Sequence, residues 1–129
     1  MTAIEARIVA SARACVGARF RLHGRSPETG LDCIGVAALV YGVADPPGGY
    51  ALRGDRLDDL RAGIAAAGLR PAGGEARPGD LLLLRPGPFQ FHLAILTDRG
   101  FVHADAGLRR VTEVPGAPLW PLAGRWRHP

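Results

Sequence analysis

Asp32-Cys33-Ile34-Gly35-Val36-Ala37-Ala38-Leu39-Val40-Tyr41-Gly42 is the stretch on which the fold turns. It is short, mostly apolar and ended by a glycine. It therefore reads as a buried helix with Asp32 or Cys33 in its first turn. Gly35 leaves room for another group to approach the helix closely. A thiol at a helix N-terminus meets exposed N–H groups and the positive end of the macrodipole, which favour the nucleophilic thiolate. Asp32 opposes that effect, so a cationic partner is required. Taken alone, a cysteine here is more often an ordinary core residue, since free Cys packs as a small hydrophobe.

Upstream, residues 2 to 16 read as a helix. Thr2 stands as cap, with Glu5 at capping-box spacing. Ile4, Ile8, Ala12 and Cys15 fall on one face, and Gly17 follows as a stop. Cys15 on that face reads as core. Residues 17 to 31 read as a polar loop. Downstream, Asp45-Pro46-Pro47-Gly48-Gly49 is a hard break, and Asp55 to Ala67 is an amphipathic helix with Leu57, Leu60 and Ile64 on its apolar side.

After Gly68 the pattern changes. Leu69 to Pro71 forms a short strand, and Pro78-Gly79-Asp80 is a turn. Leu81 to Leu84 is a strand, and Pro86-Gly87-Pro88 turns the chain. Phe89 to Thr97 is the next strand, and Asp98-Arg99-Gly100 is a tight hairpin turn. Phe101 to Asp105 and Leu108 to Val114 follow as strands around Ala106-Gly107, with a last strand around Leu122 to Arg127. Helices come first and antiparallel hairpins second, which predicts a single α+β domain over residues 1–129. The segment from Trp120 to Pro129 either docks onto a partner or closes that last strand.

The histidines sharpen the reading of Cys33. There are four: His23, His92, His103 and His128. A hairpin turn centred on Arg99 pairs positions whose numbers sum to twice 99. His92 then faces a position near Ala106, and His103 lies close by on the adjacent strand. A nucleophile, a base and a third group that orients the base need this kind of neighbourhood. Two unrelated strand histidines are the plainer alternative.

Composition narrows the classes. Of 129 residues, 47% are hydrophobic, enough for one core, and the 18 glycines and 11 prolines predict many turns. The 16 basic residues are all arginine and the formal net charge is +4. They are scattered, with no aromatic-interleaved basic stripe, so nucleic-acid binding has little support. Two cysteines make no disulfide framework, and no Cys/His cluster has zinc spacing. No cofactor and no metal are expected. No run approaches the ~20 apolar residues of a membrane span. Glu5, Arg7 and Arg13 break up the N-terminus, so no secretory signal is expected there and synthesis is expected in the cytoplasm.

The order helix-Cys, strand-His, next-strand-His resembles the NlpC/P60 peptidases, papain-like cysteine hydrolases that cut peptidoglycan stem peptides. The family's Asp-Cys-Ser-Gly is similar to Asp32-Cys33-Ile34-Gly35. Its upstream Gly-x-x-Tyr-x-x-Gly-Gly is similar to Gly17-Ala18-Arg19-Phe20-Arg21-Leu22-His23-Gly24. Its Pro-Gly-Asp-Leu resembles Pro78-Gly79-Asp80-Leu81. Its His-Val-Gly-Ile and Phe-Ile-His-Ala strands resemble His92-Leu93-Ala94-Ile95 and Phe101-Val102-His103-Ala104. The resemblance runs from about residue 6 to residue 114. It implies N-terminal helices packed on a five- to six-stranded antiparallel sheet.

The resemblance also implies Cys33 as nucleophile, His92 as general base and His103 as the residue orienting His92. The Cys33 backbone N–H would help hold the oxyanion. Asp32 would bind a substrate amine or cap the helix, and His23 would lie near the cleft. Two departures stand out. Phe20 replaces the family's tyrosine, removing a hydroxyl from the site, and Ile34 replaces the motif serine. The Phe20-to-Gly24 and Leu31-to-Gly35 segments are most similar to the phage-tail and gene-transfer-agent branch. That branch implies a peptidoglycan substrate, tail hub or baseplate partners, and action in the periplasm of a target cell after delivery on a virion-like tail. The alternatives are an inert structural component of a baseplate and an antibacterial amidase toxin.

Overall fold

The computed structural model describes residues 1–44 and 57–129. The break at Asp45–Gly49 lies outside the described residues, as do Asp55 and Arg56. Helix α1 spans Ala3–Cys15, and its start is held by a reciprocal capping box. The Glu5 N–H donates to the Thr2 hydroxyl at 3.1 Å, and the Thr2 N–H donates to the Glu5 carboxylate at 3.0 Å. Ile8, Ala12 and Cys15 are buried as the spacing predicts. Ile4 is not: it lies a turn nearer the free end and is exposed.

Helix α2, Cys33–Tyr41, starts at Asp32 as N-cap and ends at Gly42, whose φ of 73° is the left-handed conformation a glycine adopts without strain. The segment expected to be a plain loop instead carries a two-residue ribbon, β1 (Arg25–Ser26) paired antiparallel with β2 (Gly30–Leu31). Neither strand is long enough to show alternation, so no period marks it in the sequence. Helix α3 is Leu57–Ala66, with Leu60 and Ile64 buried.

Six further strands make one antiparallel sheet: β3 (Arg70–Pro71), β4 (Leu81–Gly87), β5 (Gln90–Leu96), β6 (Gly100–Asp105), β7 (Arg110–Pro115) and β8 (Leu122–Arg127). The spatial order is β3-β8-β4-β5-β6-β7. The last strand thus returns to lie between β3 and β4. Buried Asp80 helps seat it there: Arg127 donates to both carboxylate oxygens, at 2.8 and 2.9 Å. The β4–β5 turn is Pro88-Phe89, one residue later than the proline spacing suggests, which leaves Phe89 exposed at its tip.

Alternation sorts the strands into two faces. Leu81, Leu83, Leu93, Ile95, Val102, Ala104 and Val111 pack with Ile8, Ala12, Val36 and Val40 of the helices in the main core. Leu82, Leu84, Ala94 and Phe101 make a smaller cluster. Chain 17–20 then hooks onto β7: the Gly17 N–H bonds the Val111 carbonyl, and the Phe20 N–H bonds the Arg109 carbonyl. Leu31 bonds the Arg19 carbonyl from the other side, so Phe20 is fixed between β7 and the β1–β2 ribbon.

Gly35 decides how closely the ribbon approaches α2. A Cβ there would run into the Gly24 carbonyl oxygen, and a Cβ at Gly24 would run into the Gly30 carbonyl. Backbone thus stacks directly on backbone beneath the first turn of α2. Gly35→Ala is expected to cost about 1–3 kcal/mol, since neither carbonyl has a side chain that could yield. A lowered urea midpoint with an unchanged m-value is the measurement.

Candidate active site

The site is built around the start of α2. Asp32 is buried, and its Oδ1 accepts from the Gly35 N–H at 2.8 Å and from the Arg25 guanidinium at 2.8 Å. Its Oδ2 accepts from the His23 N–H at 2.8 Å. Arg25 is thus the counter-ion of Asp32; it lies in the ribbon the periodicity missed. With three donors on it, Asp32 serves as helix cap and buried counter-ion. His23 contributes its backbone, in the left-handed region at φ 61°, which explains why the resembling motif carries glycine there. The His23 side chain is exposed and is not among the residues lining the cavity described next.

A cavity of about 290 Å³ is lined by Phe20, Asp32, Cys33, His92, His103 and Trp120, among others. Five of the six residues singled out from sequence therefore meet at one place. The β5–β6 pairing joins Ile95 to Val102 and Leu96 to Phe101, a sum one lower than the turn centre suggests. On that register His92 points towards Asp105 instead of Ala106. His92 and His103 lie beyond the paired part of the two strands, and their rings join there: His92 Nε2 is 2.8 Å from His103 Nδ1. The far nitrogen of His103, Nε2, stands 3.8 Å from Asp105 Oδ2.

Trp120, for which the sequence offered two roles, covers this pair. Its ring meets His92 at 5.6 Å and His103 at 6.0 Å between centroids, both edge-on. It does so just before β8, so the chain that closes the sheet also walls the cavity. Trp120 is 39% exposed. Phe20 contributes an apolar wall where a tyrosine would bring a hydroxyl.

The electrostatics differ from the expectation at Cys33. Burial pushes its thiol up to about 12, and the Asp32 charge adds to the rise. Backbone N–H groups of Leu93, Ile34 and Cys33 itself act on the sulfur in the opposite direction, and lose to desolvation. The helix start therefore aims donors at the sulfur without making it a resting thiolate. His92 is held down to about 4, first by burial and then by neighbouring His103, with Asp105 opposing. His103 is lowered by burial, again against Asp105. Near neutrality the thiol is protonated and both imidazoles are neutral.

Because His92 Nε2 is engaged by His103, Nδ1 is the nitrogen left to exchange a proton. An unprotonated Nδ1 requires the proton on Nε2, donated to His103 Nδ1. Among the described residues no group of three or more His, Cys, Asp or Glu is placed to hold a metal ion.

The half-buried, neutral His92 makes stability pH-dependent. An unfolded histidine titrates near 6.5. Between that value and about 4 the unfolded chain binds a proton that the native chain does not. Stability present above pH ~6.5 is lost as pH falls towards 4, by on the order of 2–3 kcal/mol for this group. Urea titrations across that window are expected to show the loss, and His92→Gln is expected to show a smaller one.

No protein-family model matches the chain, and no curated protein matches it either. Solved structures do. The crystal structure of the NlpC/p60 domain of the peptidoglycan hydrolase SagA is 27% identical with a TM-score of 0.60, over 86% of this chain and 88% of that one. A lipoprotein-like NLP/P60 protein of Staphylococcus aureus subsp. aureus Mu50 is 24% identical with a TM-score of 0.59. That match takes in 96% of this chain and 41% of the staphylococcal one, so this chain spans less than half of that protein's length. Among the described residues, three helices on a six-stranded antiparallel sheet, with a two-stranded ribbon beside it, are thus the α+β architecture of NlpC/P60 domains.

Proposed function

We propose that this chain is a cysteine endopeptidase that cleaves amide bonds in the stem peptides of peptidoglycan. The observation that carries the reading is the meeting of Cys33, His92 and His103 in one cavity, with the 2.8 Å imidazole pair leaving His92 Nδ1 open. The similarity to the domain of a peptidoglycan hydrolase supports the substrate class.

In this reading the Cys33 sulfur attacks the amide carbon as its proton passes to His92 Nδ1. Transfer is coupled to attack because neither ion is stable at rest. The Cys33 N–H, unused by the Asp32 cap, donates to the oxyanion. His92 then protonates the leaving amine, and water hydrolyses the thioester with His92 again as base. Phe20 offers the oxyanion no hydroxyl, so backbone donors carry more of that stabilisation. With Asp32 already paired with Arg25 and accepting from two N–H groups, the site makes no demand for a free substrate amine. That fits cleavage within a peptide.

Delivery on a phage-like or gene-transfer-agent tail, with hub or baseplate proteins as partners, is the further part of the proposal. It rests on the Phe20-to-Gly24 and Leu31-to-Gly35 resemblance. The chain is then expected by mass spectrometry in purified tail particles.

Digestion of Gram-negative sacculi tests the chemistry. The wild type is expected to release muropeptides with new peptide ends and Cys33→Ala to release none. His92→Ala is expected to lose about 10²–10⁴-fold in rate. No release by a folded wild type would favour an inert structural tail component, the reading to which Phe20 and Ile34 lend weight.

A further inference from the structure

We propose that Asp105 is a positioning residue that sets the direction of the hydrogen bond between His103 and His92, and through it leaves His92 Nδ1 free to accept the Cys33 proton. This rests on the hydrolase reading for its consequence in catalysis, but not for its structural content.

The two ends of the Asp105 carboxylate have different tasks. Oδ1 accepts the Leu108 N–H at 3.1 Å, which ties the carboxylate to the turn leaving β6. Oδ2 faces His103 Nε2 at 3.8 Å. That distance is beyond a direct hydrogen bond, so the carboxylate acts on His103 by charge or through one bridging water. A carboxylate accepts and cannot donate. It therefore favours the His103 tautomer with its proton on Nε2, which leaves His103 Nδ1 as acceptor. His92 Nε2, 2.8 Å away, must then be the donor. Each ring has one proton, so His92 Nδ1 is bare.

The chain of single choices from Asp105 to His92 reverses as a unit if the first is reversed. When His92 takes a proton from Cys33, its Nε2–H stays in place, and the new positive charge lies in line with His103 and the Asp105 carboxylate. No proton needs to move beyond His92. Trp120 packs edge-on against both rings, shielding this line from water, which strengthens each choice along it.

Asp105→Asn separates the charge from the turn. The amide oxygen keeps the Leu108 N–H, and its NH₂ group turns to His103 Nε2. A donor there favours a bare Nε2 and a protonated Nδ1, so His103 now donates to His92, and His92 carries its proton on Nδ1, where the base is needed. Ring ¹⁵N chemical shifts near neutral pH in the full chain report the tautomers directly. The wild type is expected to show Nε2–H on both histidines, Asp105→Asn to show Nδ1–H on both, and Asp105→Glu to restore the wild-type pattern. Muropeptide release is expected to fall at least ~10²-fold in kcat for Asp105→Asn, with KM little changed and partial recovery in Asp105→Glu.

Nδ1–H on wild-type His103, or tautomers unmoved in Asp105→Asn, overturns the proposal; the wild-type spectrum decides even if the variant does not fold. Reversed tautomers with undiminished hydrolysis would overturn the catalytic consequence. If the wild type releases nothing, the peptidase reading fails while the spectra still decide the role of Asp105.

Discussion

The carboxylate of Asp32 receives a helix N–H, a loop N–H and a guanidinium within a buried pocket, and the geometry around Cys33 depends on that convergence. The Gly35 bond starts α2, the His23 bond folds the preceding loop back, and the Arg25 bond draws in the ribbon. Removing Arg25 would leave a charge buried with only neutral donors, a situation that is strongly destabilising in protein interiors. The same contacts press Gly24 against Gly35, so the cap, the ribbon and the close backbone approach are one arrangement seen from three sides.

Burial governs the chemistry of the site more than the helix terminus does. The macrodipole and the first-turn N–H groups lower the cost of a thiolate, yet desolvation prevails and leaves Cys33 protonated. The same desolvation keeps His92 neutral and therefore able to accept a proton. A mostly apolar cavity holds both partners in their uncharged forms.

The helices, most strands and the nearness of His92 to His103 were legible because each rests on local signals: a capping box, a terminal glycine, hairpin turns and alternation; the meeting of both with Cys33 was implied only by the resemblance to NlpC/P60 peptidases. The β1–β2 ribbon was not legible, since two-residue strands leave no period. Arg25 was hidden with it. Trp120 and the seat of β8 escaped because they depend on a long-range return past three strands, which no local pattern encodes. Asp105 lay in plain view two residues after His103 on the same strand, but its place across from His92 depends on a register one step from the turn centre.

The central place of β8 has a consequence for how the molecule comes into being. Strands β4 to β7 leave the ribosome first, and until residue 122 and beyond are made, β4 presents an open edge to the cell. Trp120 and Arg127 arrive with the segment that covers that edge and closes the cavity wall. Nascent chains therefore lack a finished cleft. The cleft around Cys33 gains this wall only when β8 docks, so its completion waits on a strand made after the four, β4 to β7, whose open edge it closes.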